Sequence, residues 1–233
     1  MTGYRAVRTG VFLLITVFTA GVLAACTPAS GQSGDGEADP TKALWSAVDS
    51  SDADAARQAI ADGADIESRG PDDVTPVIAA TKNNDVDVAH VLIDAGADVN
   101  AKDGLQDSAF LYSGAEGFDE ILKMTIEAGA DVRSINRYGG TALIPASEHG
   151  HVSTIRILIA AGVPVDHMNS LGWTALHEAI ILNDGGPDQV EALRLLLEAG
   201  ADPSITEHGG LTARELAEQK GYDEIVAVID AAA

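Results

Sequence analysis

Apolar residues fall along the chain in paired short clusters that return every 33 residues. Gly63, Gly96, Gly129 and Gly162 mark the period, and Gly200 closes a fifth, longer copy. Thr75, Ser108, Thr141, Thr174 and Thr212 mark a second register at a fixed offset from those glycines, except in the fifth copy. Between the marks, the second copy reads as two amphipathic segments. Val77, Ile78, Ala79 and Ala80 form a narrow face of mostly small residues, and Val88, Val91, Leu92 and Ile93 recur at helical spacing. The same second set returns as Ile121, Leu122 and Ile126, as Ile155, Leu158 and Ile159, and as Leu193, Leu196 and Leu197. Each copy therefore predicts two short helices. Thr75 is placed to cap the first, and Pro76 sits where a missing N–H costs nothing. Gly96 supplies the left-handed residue that stops the second, and Asp98 favours the turn from which a hairpin-like finger projects.

Two such helices cannot bury their own apolar faces, so burial must come from stacking on neighbours. The chain is predicted to be an all-α solenoid of about six helix-turn-helix units, at about 41–69, 70–102, 103–135, 136–168, 169–205 and 206–233. The end units differ in the way caps require. Leu44 to Asp65 carries Asp49, Asp52, Asp54 and Arg57, and the first helix of the last unit replaces apolar positions with Arg214, Glu215, Glu218, Gln219 and Lys220. Both ends are thereby able to meet water.

The segment TALHEA at 174–179 is nearly the ankyrin signature T-P-L-H-x-A, and GHVSTIRILIAAG at 150–162 resembles its second half. Residues 41–233 as a whole resemble the ankyrin repeat family. Three stretches, at 107–117, 138–150 and 171–187, look like a subgroup of small exported bacterial ankyrin proteins. The resemblance implies protein binding through finger tips and the concave face of the first helices, with no catalysis. It also implies that His177 holds its turn through Thr174.

The first 25 residues follow a different pattern. Arg5 and Arg8 precede the apolar run Val11 to Leu23, which is too short to span a bilayer and has the order of a secretory signal. The LAAC at 23–26 resembles the bacterial lipobox, making Cys26, the only cysteine, the expected lipidation site. An ordinary signal with a spare cysteine is the alternative. Residues 26–40 are small and polar and read as a flexible tether. Without residues 1–25 the chain has 12 basic against 36 acidic residues, a formal charge of −24. Such a surface is repelled by nucleic acid and by anionic headgroups, so the lipid must supply membrane affinity. The expected location is the extracytoplasmic side of a bacterial membrane, either a cell membrane or an outer membrane facing the periplasm. The chain is expected to be monomeric and to meet a protein partner that the charge allows to be cationic.

Candidate chemistry changes this picture little. No GxSxG, P-loop or GxGxxG occurs, and Asp52/Asp54, Asp72/Asp73 and Asp85/Asp87 sit on predicted exposed turns where nothing separates their pKa values. His149 and His151 flank Gly150, but no further Cys or His has ligand spacing. No enzyme, cofactor or metal is predicted. The candidate partner-binding residues are Tyr112, Arg137, Tyr138, Glu148, His149, Leu171, Trp173 and Glu178, with Phe110 at a buried register. Tyr, Trp and Arg are the usual anchors of interfaces. For Tyr138 and Trp173, packing between fingers is the competing role. The fifth copy carries five extra residues near Asn183 to Pro187, a turn composition that adds Asn183 and Asp184 to the candidates, with a tolerated loop insertion as the alternative. An adaptor that binds an envelope or secreted protein and an inhibitor that blocks a secreted enzyme both fit.

Overall fold

The computed structural model describes residues 39–232. The expected leader, Cys26 and nearly all of the tether lie outside them. The described chain forms twelve α-helices in six consecutive pairs. They are α1 (Pro40–Asp49) with α2 (Ala53–Ala61), α3 (Pro76–Lys82) with α4 (Val86–Asp94), and α5 (Ala109–Glu116) with α6 (Asp119–Glu127). The remaining pairs are α7 (Leu143–Glu148) with α8 (Val152–Ala160), α9 (Ala175–Ile181) with α10 (Pro187–Glu198), and α11 (Ala213–Lys220) with α12 (Asp223–Ala232). The first helices stack on one another in one layer and the second helices in another, as nearest-neighbour burial requires.

The capping residues do most of what their positions predict. Thr75 Oγ1 accepts the Ile78 N–H, Ser108 Oγ accepts that of Leu111, and Thr212 forms a reciprocal cap with Glu215. At Thr174 the partner is His177, whose Nδ1 accepts the Thr174 N–H and pairs with its hydroxyl at 2.8 Å. The glycines at 63, 96, 129, 162 and 200 all have φ between 84° and 95° and end the second helices. Thr141 departs from the pattern. The other openers each give their carbonyl to the N–H four residues on, but position 145 is proline and has none. The Thr141 carbonyl instead accepts from Ile144, helix α7 starts late, and the buried Thr141 Oγ1 is left without a partner.

Unit three holds the two halves of the core together. Ala109 and Ile121 belong to the apolar block of the first units, whereas Phe110, Leu111 and Leu122 from the same two helices belong to the block that runs on to Ile229. Phe110 is fully buried there, as its register predicts. Close approach explains the glycine inside α5: a Cβ on Gly114 would lie 2.8 Å from the Ala142 Cβ. Gly114→Val is therefore expected to cost about 1–3 kcal/mol of unfolding free energy through overpacking. An unchanged denaturation midpoint would show that α5 and α7 can separate freely.

Between units the chain forms fingers rather than ladders; among the described residues the only β-bridge is Thr206 with Thr212. Each finger is closed by a backbone N–H reaching the carbonyl four residues on, at Gly70, Asp103, Asn136, Asn169 and Glu207. In the middle fingers a side chain braces the tip. Asp103 Oδ1 accepts the Leu105 and Asp107 N–H groups, Asn136 Oδ1 those of Tyr138 and Gly140, and Asn169 Oδ1 those of Leu171 and Trp173. Successive tips are tied: Gly104 N–H donates to the Asp72 carbonyl at 2.7 Å, and Ser170 N–H to that of Tyr138 at 2.8 Å.

Candidate functional site

The braces just described decide what the fingers show. Leu105, Tyr138 and Leu171 occupy the same place in three consecutive tips, two residues past Asp103, Asn136 and Asn169. They are 50%, 56% and 51% exposed, a row of large apolar side chains held out into solvent. Single exposed apolar residues are ordinary, but these three recur at one position of consecutive fingers. Tyr138 is stiffened by the Arg137 guanidinium, which lies 4.6 Å from its ring centroid and also meets Asp107 at 3.3 Å.

Below the row, fingers and first helices enclose a cavity of about 320 Å³. It gathers Tyr112 from α5, Arg137 and Tyr138 from a finger, Glu148 and His149 from the end of α7, and Glu178 from α9. Six of the candidates thus come together. Register explains why. Tyr112, Pro145 and Glu178 each stand four residues after their unit's opening Ser or Thr, so this column of the first helices faces one side. Lys82, Ala115 and Glu148 form a second column, seven residues after the opener. Larger depressions of about 570 Å³ lie elsewhere, one along α10 and α12, the other near α2 and His90. Neither combines aromatic rings with convergent polar groups.

The electrostatics of the cavity are uneven. Lys82 Nζ sits 2.5 Å from Asp103 Oδ2 and 5.7 Å from the Tyr112 ring. Burial opposes ionisation of Asp103, but the bonds from Lys82 and from backbone N–H groups win and hold its pKa below the usual range. Asp107 goes the other way, raised by burial and by the neighbouring Asp103. Glu178 is only 6% exposed, and its carboxylate accepts one bond at 2.8 Å, from Asn169 Nδ2. Burial first, then the charge and hydrogen-bonding demand of Glu148, push its pKa up to about 7.

Four candidates fall outside the cavity. Leu171 belongs to the exposed row, and Trp173 is half-buried at the base of its finger. Asn183 is a structural residue: its carbonyl accepts the Tyr222 hydroxyl, and its amide contacts Gln189 and the Glu178 carbonyl. As its turn composition predicts, it lies in the connection between α9 and α10, which spans 182–186. Pro187 opens α10, which has 12 residues where α4, α6 and α8 have 9, so most of the insertion lengthens a helix. Asp184 remains exposed and caps the Gly186 N–H. His177 is buried at its cap, and burial lowers its pKa. Lys82, Leu105, Asp107, Asn136 and Asn169 are the residues of this face that the sequence did not single out; Lys82 lies in the second column, and Leu105, Asn136 and Asn169 repeat at the 33-residue period of the fingers.

These features define a helical repeat solenoid with one face built from finger tips and first helices. The family model for ankyrin repeats in three copies matches residues 110–207, and that for a single ankyrin repeat matches residues 72–104. A solved ankyrin repeat domain from Acinetobacter baumannii AYE is 48% identical, with a TM-score of 0.79, over 81% of this chain and 96% of that one. A second solved ankyrin repeat protein is 38% identical at the same TM-score, over 82% and 97%. The ankyrin repeat protein YahD of Escherichia coli K12 is 49% identical over 57 residues, which span 24% of this chain and 28% of YahD. The chain belongs to the ankyrin repeat family, whose members generally bind proteins and are not enzymes.

Proposed function

We propose that this ankyrin protein is an adaptor tethered by lipid to the extracytoplasmic side of a bacterial membrane, where it binds an envelope or secreted protein without catalysing a reaction. The aligned, exposed row of Leu105, Tyr138 and Leu171 over the polar cavity carries the binding part of this reading. The signal-like start and the lipobox resemblance at Cys26 support the location. Lipid has to hold the chain there because a formal charge of −24 beyond residue 25 opposes anionic headgroups. Two acyl chains suffice for stable anchoring where one does not.

Crosslinked capture from envelope fractions tests the reading. A stoichiometric protein lost on Tyr138→Ala supports it, and capture indifferent to every finger-tip variant overturns it. A partner that loses its own activity when bound would make the chain an inhibitor. Cys26→Ser is expected to abolish acyl labelling and release the protein from membranes, and persistent labelling of that variant would disprove the anchor.

A further inference from the structure

We infer that the cavity between the fingers and the first helices takes one basic side chain, lysine or arginine, of the protein partner, with its charge ending beside Glu148 and Glu178. The inference rests on the adaptor reading and names what that face recognises. A census of charge carries it. Of the basic residues that line the cavity, Lys82 is matched by Asp103 at 2.5 Å and Arg137 by Asp107 at 3.3 Å, while the exposed His149 forms no ion pair among the described residues. Glu148 and Glu178 form no ion pair with any described Lys, Arg or His, and Glu116 on the same wall forms none either. Glu178 is nevertheless more than nine-tenths buried, with one neutral donor, Asn169, satisfying one of its oxygens. Ionised beside Glu148, a carboxylate in that position is without a counter-charge, a cost that a proton relieves below about pH 7 and that an arriving cation relieves above it.

The route to the pair suits such a visitor. The cavity volume of about 320 Å³ is enough for a side chain and too small for a folded element. Tyr112 and Tyr138 line it, each already beside a cation of the protein, Lys82 and Arg137, so the rings supply contact for the apolar stem of a visiting side chain. The net negative surface steers a basic segment toward the protein, and the Leu105, Tyr138 and Leu171 tips cover the apolar stem and flanks of that segment. Neutral or acidic side chains would gain none of this.

N-acetyl-arginine methylamide, with the uncharged citrulline analogue as control, tests the inference on the full chain in detergent. The expected result is a shift of the Glu148 and Glu178 carboxyl carbon signals, with a dissociation constant on the order of 1 mM, the range open to a fragment. Citrulline should bind at least tenfold more weakly, and so should the arginine probe to the Glu148→Gln, Glu178→Gln double variant. Equal binding of citrulline, or no shift at those two carboxyls, overturns the inference. Envelope capture on the same variants separates the two levels. Capture lost with Tyr138→Ala but kept by the double variant overturns the basic side chain alone, and capture untouched by both overturns the adaptor reading with it.

Discussion

Glu178→Gln is expected to stabilise the protein at pH 8 and to flatten part of its pH dependence. The folded pKa of Glu178 lies at about 7 against an ordinary 4.5, so between these values the native state holds a proton that the unfolded chain has released. A group raised in this way contributes its full stability below pH 4.5 and loses it as pH rises through about 7. At 1.36 kcal/mol per pKa unit, the loss is on the order of 2–3 kcal/mol once water entering the cavity is allowed for. Gln keeps an oxygen for Asn169 and gains a donor for Glu148, so the variant carries no such loss. Urea unfolding of both proteins at pH 5 and pH 8 is the measurement. Parallel pH slopes would show that the Glu148 and Glu178 carboxyls do not share a proton.

Tyr138→Ala has the largest expected effect on binding. The side chain is held in place by Arg137 yet is more than half exposed, so its removal leaves no core cavity. Anchors of this kind cost about 2 kcal/mol or more when truncated, roughly a thirtyfold loss of affinity, whereas exposed positions change folding by within about 0.5 kcal/mol. Paired measurements of melting temperature and partner affinity separate the roles. A steep fall in melting temperature with affinity kept would make Tyr138 a packing residue of the finger.

The period, the helix pairs and most caps were legible because each rests on local chemistry: a hydroxyl before a helix, a glycine after one, apolar residues at helical spacing. Thr141 opens its unit without the cap that Thr75 makes, because Pro145 offers no N–H to its carbonyl and helix α7 starts one residue late. The carboxylate pair was harder to see. Glu148 and Glu178 lie 30 residues apart, at different positions within their units, and meet only because the end of α7 lies beside the start of α9. Searching for acidic residues adjacent in sequence finds the solvated turns instead. Asn183 to Gly186 form the connection their turn composition predicts, whereas the extra turn of α10 beyond Pro187 and the bond from Tyr222 to Asn183 depend on packing that no local composition marks.

The bonds between successive fingers carry a consequence for selectivity. Lys102 Nζ reaches the Ile135 carbonyl at 2.7 Å, Arg137 bridges to Asp107, and Ser170 hangs on Tyr138, so the middle tips cannot slide past one another independently. They act as a stiff comb with fixed teeth. A partner whose own contact points match the tooth spacing engages every tip at once, and one whose spacing drifts engages a single tip and leaves. On the proposed adaptor reading, the spacing of contact points along the partner is therefore selected together with their side chains.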